Sequence, residues 1–569
     1  MTRSPQKAVC QGQRIIFWLL ILGLLVHVVV VVILGSVPPI SRDALNHHLA
    51  VPKMYLLHGG MHEIPSMHFS YFPMNVDLLY MLPLYFKFDI AAKYLHFLFA
   101  LLTAWLLYRY LKKIISPAYG LLGALFFLTI PVIVKLSVIA YVDLGLIFFS
   151  WLCLYSFLKW CDTEYKPRYL IVAGVACGLA LGTKYNALIL LLIMAAMIPL
   201  TYSRNQNKRF SQHNLKERNR HSLKGVYWGG IFILIALIIF SPWMIRNTIW
   251  KHNPVYPLFN NVFNPPQETF SHDSAALKQQ ELANNPFWQR KNVYNETFLQ
   301  TLLIPVRAFF QGQDDNPKYF DGKLNPCLLL LPLLAFVCTK ETFSPTIKHH
   351  RNILTVFSIL FVLFVLFESD FRIRYMAPAI PPLVILAVLG AHNTVQLLQQ
   401  QAGLINKIGL SVLILSISYA FVYNWFYIFH QFDYIRPFDY LFGKASRDAY
   451  VARYRTEHPV IAHANAILPQ DARVLCLSIG DRTYYLDRKA HLAEDFFDRN
   501  GGEEREKQLI SKMVRYGTTH IIFNRSVYTD WATQLKKTER RAFENVFTDH
   551  TKLLYEENGV QLLEVLHNR

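Results

Sequence analysis

Charge is scarce in this sequence. Asp, Glu, Lys and Arg make up 17% of its 569 residues, against about a quarter in an ordinary soluble domain. With 53% of residues hydrophobic, so little charge implies lipid as solvent for much of the chain. Cysteine is sparse as well. The seven, Cys10, Cys153, Cys161, Cys177, Cys327, Cys338 and Cys476, lie mostly in or beside apolar runs, and none has a CxxC spacing. Neither a disulfide framework nor a thiolate zinc site is expected. Glycine (25) and proline (28) are ordinary in number, which excludes collagen-like and low-complexity readings. No internal repeat of fixed period is present.

What is abundant is the long apolar run. A bilayer core needs about 20 residues of helix, because only helices and closed barrels satisfy their backbone there. Ile15–Leu34 meets that length without a charge, follows the basic Arg3, Lys7 and Arg14, and precedes no small-residue cleavage site. It reads as a retained signal anchor. Further runs lie near Leu95–Leu111, Tyr119–Val134, Ile139–Leu158, Tyr169–Gly182, Ala187–Tyr202, Val226–Phe240, Cys327–Val337, Ile353–Phe367, Met376–Leu389 and Ile408–Phe429. The expected fold is a polytopic α-helical membrane protein of about eleven spans.

The formal net charge of +19 would suit nucleic acid, but its placement argues for membrane topology. Arg109, Lys112 and Lys113, the basic stretch Arg204–Lys224, and Lys340, Lys348 and Arg351 all fall in segments that an inside N-terminus makes cytoplasmic. Nucleic acid is therefore not an expected partner, whereas membrane lipid is. An odd span count puts the C-terminus outside. The expected organisation is a membrane domain over residues 1–430, with long outer loops at 35–93 and 241–325, and an outer α/β domain over 431–569. In that tail Ala472–Ile479 reads as a strand ended by Gly480-Asp481. Glu503–Tyr516 reads as a helix with a stripe of Leu509, Ile510, Met513 and Val514, stopped by Gly517. His520–Phe523 is a second strand, and Asn558-Gly559 marks a hairpin.

Ionisable residues at the outer ends of the apolar runs are the candidate site. Asp43 follows the first span and suits a general base on an acceptor hydroxyl; the competing reading is a helix N-cap before Ala44. Asp143, the second candidate catalytic carboxylate, stands at the outer end of an apolar run, where a charge faces a cavity or a partner; the competing reading is that it lies shallow enough to reach interfacial water. Lys184 lies at an outer turn between two such runs, either as an interfacial anchor or facing a lipid phosphate. Arg246, Arg372 and Arg374 also sit at outer helix ends, and guanidinium groups clamp phosphates. With the adjoining Tyr375 they complete a candidate phosphate-binding set. The first outer loop adds the substrate-loop candidates His47, His48, Lys53 and Tyr71. His58 and His62 have a zinc-ligand spacing, but Gly59-Gly60 interrupts them and no dense ligand motif is present. No metal site is assigned.

At Asp43 in RDALNHHLAVPKMYL, Asp143 in AYVDLGLIFF, Lys184 in GLALGTKYNAL, RYMAPAIPP from Arg374, and PWMIRN before NPVYPLFN, the chain resembles the GT-C membrane glycosyltransferases. The similar branch is that of bacterial enzymes of the protein O-mannosyltransferase-like and aminoarabinose transferase-like type. The resemblance runs from about Ile15 to Phe429 and is weaker through the tail. It implies inverting transfer of a sugar from a polyprenyl-phosphate donor, at the outer face of a bacterial inner membrane, to a glycan, lipid or protein acceptor. Asp43 would match the catalytic acid, and Arg374, with Lys184 or Arg246, would stabilise the departing phosphate. Two departures stand out. Ala44 follows Asp43 where many members have a second acid, and Tyr71-Phe72-Pro73-Met74 lacks the lysine that aminoarabinose-type relatives carry. The resemblance leaves a divalent metal open and does not identify the sugar. An oligosaccharide ligase or polymerase and a lipid-linked sugar transporter are the alternatives, and the tail also reads as an acceptor-selecting module.

Overall fold

The computed structural model describes residues 5–209, 215–265, 286–337, 343–367, 371–401, 403–492, 505–533, 535 and 537–566. Among them, eight helices are long and apolar enough to cross a membrane. The first four belong to α1 (Pro5–Gly35), α4 (Ile90–Ile114), α7 (Asp143–Asp162) and α9 (Ala187–Arg209). The others are α10 (Leu215–Lys251) and the helical stretches Pro345–Val365, Ile373–Gln399 and Leu404–Ile435. A ninth span results if the bent pair α5 (Pro117–Thr129) and α6 (Pro131–Ser137), which meet at 68°, is counted as one.

The eight or nine long spans among the described residues compare with the expected eleven or so, and two of the expected apolar runs form shorter helices. The run at Tyr169–Gly182 becomes α8 (Pro167–Leu181), whose 15 residues rise only about 22 Å. The run at Cys327–Val337 becomes the eight-residue helix Cys327–Leu334, with Pro332 inside it. Each packs one face closely against a neighbouring span. Gly178 of α8 lies so close to α10 that a Cβ would come within 2.6 Å of the Ala236 carbonyl, and a Cβ on Gly390 would meet the Leu331 carbonyl at 2.0 Å. Small residues let helix backbones approach in this way. Ile373–Gln399 lies at the centre, with 83% of its apolar window buried, while the first and last spans bury 11% and present their sides to lipid.

The segment between α1 and α4 is mostly helical. A π-helical turn, Ala44–His48, leads into α2 (Ala50–His58), which ends at Gly59 in the left-handed conformation (φ +83°). The helix α3 (Asn75–Tyr85) follows. Beyond the last span, two short helices, Arg447–Tyr454 and His458–Ile467, precede a five-stranded sheet. Its strands are β1 (Arg473–Leu477), β2 (Lys489–Leu492), β3 (His520–Asn524), β4 (Thr551–Glu557) and β5 (Val560–Val565). Their order is β2-β1-β3-β5-β4, with β1 parallel to β2 and β3, and β5 antiparallel to β3 and β4. The expected hairpin is β4–β5, and Asn558 and Gly559 both take positive φ (52° and 75°) as its tight turn requires. The expected tail helix spans Arg505–Arg515; Glu503 and the side chain of Leu509 lie outside the described residues. Met513 is buried but Val514 is exposed, so the apolar stripe is narrower than the periodicity suggests.

Candidate active site

Two partly buried ion pairs meet at one aromatic ring. Asp43 Oδ2 lies 2.8 Å from Arg374 Nη1, and Lys184 Nζ donates to Asp143 Oδ1 at 2.7 Å. The Tyr375 ring carries both cations, the Lys184 ammonium 4.9 Å and the Arg374 guanidinium 5.4 Å from its centroid. Segments remote in sequence build this arrangement. Asp43 comes from the loop after α1, Asp143 opens α7, Lys184 stands in the turn between α8 and α9, and Arg374-Tyr375 lie in the 3-10 turn Ile373–Ala379.

Local structure explains each placement. Asp43 occupies the position before the π-helical turn, yet its side chain makes no capping hydrogen bond, so a helix cap does not account for it. Its backbone N–H donates to the Tyr141 hydroxyl at 3.4 Å, and the Tyr141 ring lies 5.2 Å from the Arg374 guanidinium. Asp143 is the first residue of α7, where a carboxylate complements the helix dipole. His96 secures that helix start: its Nε2 accepts from the Leu144 N–H at 3.0 Å, while Nδ1 faces the carbonyls of Leu136 and Ile139, each at 2.9 Å.

A second layer surrounds Asp43. His48 Nδ1 and Asp77 Oδ1 are 2.6 Å apart, the His48 ring packs against Tyr141, and His47 stacks on Phe69 at 4.5 Å. Burial alone would raise the Asp43 carboxyl, but the Arg374 guanidinium beside it reverses this and holds it well below the usual carboxylate range. Burial lowers both imidazoles to about 3 and raises Asp77 to about 7. The Asp77–His48 contact is therefore a neutral pair sharing one proton, next to an ionised Asp43. Tyr141, Asp77 and His96 were absent from the sequence-derived set. Asp77 resembles an ordinary first-turn acid of a helix, and only its burial reveals more.

The remaining candidates lie elsewhere. Arg246 is buried between the rings of Trp243 and Trp250. It donates to the carbonyls of Tyr71 at 2.5 Å and Phe72 at 3.1 Å, and to Asn247 Oδ1. Arg372 pairs with Asp321, in the segment that follows α10, at 3.2 Å. Tyr71 donates to Glu63 at 2.6 Å, and Lys251 stands 3.0 Å from the same carboxylate. Lys53 reaches the C-terminal domain, donating to the Tyr484 carbonyl and Asp487, each at 2.7 Å. His58 and His62 stack face to face at 3.9 Å. Among the described residues no group of three or more His, Cys, Asp or Glu side chains is gathered as metal ligands.

A family model described as dolichyl-phosphate-mannose-protein mannosyltransferase matches residues 86–245. No curated protein matches the sequence. Among solved structures, ArnT from Cupriavidus metallidurans in the apo state superposes with a TM-score of 0.57 at 12% identity, over 96% of this chain and 97% of that one. The same enzyme bound to undecaprenyl phosphate gives 0.56 at 14% identity with the same coverage. The archaeal oligosaccharyltransferase AglB from Archaeoglobus fulgidus, in complex with an inhibitory peptide and a dolichol-phosphate, gives 0.50 at 11% identity over 96% of this chain and 74% of that one. The chain has the GT-C fold, a polytopic helical membrane domain followed by a small sheet-containing domain.

Proposed function

We propose that this GT-C chain is a glycosyltransferase that moves a sugar from a polyprenyl-phosphate donor to an acceptor hydroxyl at the outer face of the membrane. The observation that carries the reading is the cluster in which Asp43 faces Arg374, while Lys184 and Arg374 share the Tyr375 ring. One carboxylate open to an acceptor and two cations suited to a phosphate are what such a transfer requires. The reading draws support from the matched mannosyltransferase model and from the complexes of ArnT with undecaprenyl phosphate and of AglB with a dolichol-phosphate.

In the proposed reaction the acceptor hydroxyl gives its proton to Asp43 as its oxygen bonds to the anomeric carbon. The bond from that carbon to the phosphate oxygen breaks on the opposite side, so configuration inverts. The phosphate leaves with the electron pair, and Arg374 and Lys184 neutralise the charge that builds on it. Asp143 holds the Lys184 ammonium in place. The acceptor is a glycan, lipid or protein. We place the chain in a bacterial inner membrane with a cytoplasmic N-terminus and a periplasmic C-terminal domain.

The test is transfer from a panel of radiolabelled polyprenyl-phosphate sugars in membranes containing wild type or Asp43→Asn at matched expression. Wild type is expected to label an acceptor and release polyprenyl phosphate, and the variant to do neither. An equally active Asp43→Asn protein would remove Asp43 from the mechanism. Transfer only from donors carrying a whole oligosaccharide would replace single-sugar transfer with the ligase reading.

A further inference from the structure

Residues 36–41, which lead into Asp43, form neither helix nor strand, so their course must be set by what they touch. Lys93 of α4 donates to the Val37 carbonyl at 2.7 Å, and the C-terminal domain supplies the contacts nearer Asp43. The Pro39 carbonyl accepts from the Tyr485 hydroxyl at 2.8 Å, the Ile40 carbonyl from Arg455 Nε at 2.6 Å, and the Leu45 carbonyl from the Tyr484 N–H at 3.2 Å. In return, Lys53 Nζ donates to the carbonyls of Tyr484 and Leu486 and to Asp487. The buried Asp89 takes the Tyr484 hydroxyl at 3.0 Å and the Arg447 guanidinium. Asp43 is thus fixed from two sides: Arg374 and Tyr141 belong to the membrane domain, and the backbone just before and after it is held by residues 455–485.

We infer that Arg455 and Tyr485 are positioning residues for Asp43, which keep its carboxylate in register with Arg374 and the acceptor by fixing the carbonyls of Ile40 and Pro39. The inference rests on the reading of Asp43 as the base. A base acts only within hydrogen-bond reach of its proton, and a displacement of about 1 Å costs on the order of a hundredfold in rate. The C-terminal domain is then part of the scaffold of the transfer site, in addition to any part it takes in holding the acceptor. Four groups face the Asp43 carboxylate, namely Arg374, His47, His48 and Tyr141. Arg455 reaches it only through the backbone of Ile40.

The test compares full-length Arg455→Met, Arg455→Lys and Tyr485→Phe with wild type in lipid nanodiscs, using the donor and acceptor identified by the panel. Arg455→Met should lower kcat about 30- to 100-fold at unchanged donor KM, since it removes a charge-assisted hydrogen bond that sets geometry. Arg455→Lys should recover at least about tenfold of that, because it keeps a donor, and Tyr485→Phe should cost about fivefold. A second readout needs no turnover. The infrared band of the protonated Asp43 carboxyl, identified by its absence in Asp43→Asn, should persist to higher pH in Arg455→Met as the carboxylate drifts from Arg374, and return in Arg455→Lys. If Arg455→Met does not fold, Tyr485→Phe, which loses one hydroxyl, carries the same two readouts. Unchanged kcat with an unmoved band overturns the inference, and so does an equal loss in Met and Lys variants with an unmoved band. If wild type uses no donor but the band moves as expected, the transferase reading fails and the holding of Asp43 stands.

Discussion

Lys184 and Asp143 form a pair of unequal exposure: the carboxylate is 1% accessible and the ammonium 2.7 Å away is 19% accessible. Asp143 Oδ2 is buried without a hydrogen-bond partner among the described residues, so Lys184 is the cation bonded directly to this carboxylate. Lys184→Met should therefore destabilise the protein by about 3–5 kcal/mol, the usual result of stranding a buried charge. The double variant Asp143→Asn/Lys184→Met should regain most of that loss. Thermal unfolding in detergent measures both. Equal melting temperatures for the single and double variants would mean that the pair does not hold the charge in place.

Arg374 cannot give all its donors to Asp43 and to a donor phosphate at once. With Arg374 paired, the Asp43 carboxyl lies well below its ordinary range, which makes it a weak base. A phosphate that draws the guanidinium away strengthens it, so the expected kinetic order is donor first, then acceptor. Arg374→Met should raise the donor KM about 10- to 100-fold through loss of a charge-assisted hydrogen bond. It should also move the acid limb of kcat to higher pH, since burial without the cation raises the carboxyl. Steady-state rates across pH and product inhibition patterns test both, and an acid limb that stays put would show that Arg374 does not tune Asp43.

The cluster residues were visible in the sequence because each interrupts or ends an apolar run, where a charge must have a partner. Which partner each takes was not visible, since Asp143 meets Lys184 only through the packing of α7 against α8. Arg246 and Arg374 look alike in sequence, both arginines at helix ends. Trp243, Asn247 and Trp250, which surround the former, are the signal that Arg246 is enclosed among rings and an amide, with Nε and Nη2 already engaged. In the tail, Asn558-Gly559 fixes a hairpin because few residues tolerate its turn. The length of each helix was less visible, because apolar composition does not encode it, as Cys327–Leu334 shows.

Arg246 ties the end of α10 to the first outer loop through the carbonyls of Tyr71 and Phe72. Arg246→Met should cost about 2–4 kcal/mol, from the lost charge-assisted bonds and the buried carbonyls left unmatched. Arg246→Lys keeps the charge but not the planar fork that spans two carbonyls, so it should restore only part. Limited proteolysis should reveal earlier cleavage in the first outer loop in both variants. If the donor KM rises strongly while unfolding and proteolysis are unchanged, Arg246 belongs with the phosphate-binding residues.

The Asp77–His48 pair gives stability a recognisable pH dependence. Burial raises Asp77 from the ordinary value of 3.8 to about 7, so the folded protein holds a proton that the unfolded chain releases. The stabilisation from that proton is complete below 3.8, declines as pH rises towards 7, and is gone above it. Asp77→Asn keeps a neutral hydrogen-bonding partner for His48 and has nothing to ionise. Its melting temperature relative to wild type should therefore rise between pH 4 and pH 7 and level off above, because every other titrating group is common to both proteins. A difference that is flat across this range would mean that Asp77 is ionised in the fold throughout. It would then form a salt bridge with a protonated His48, and the neutral pair beside Asp43 would have to be abandoned.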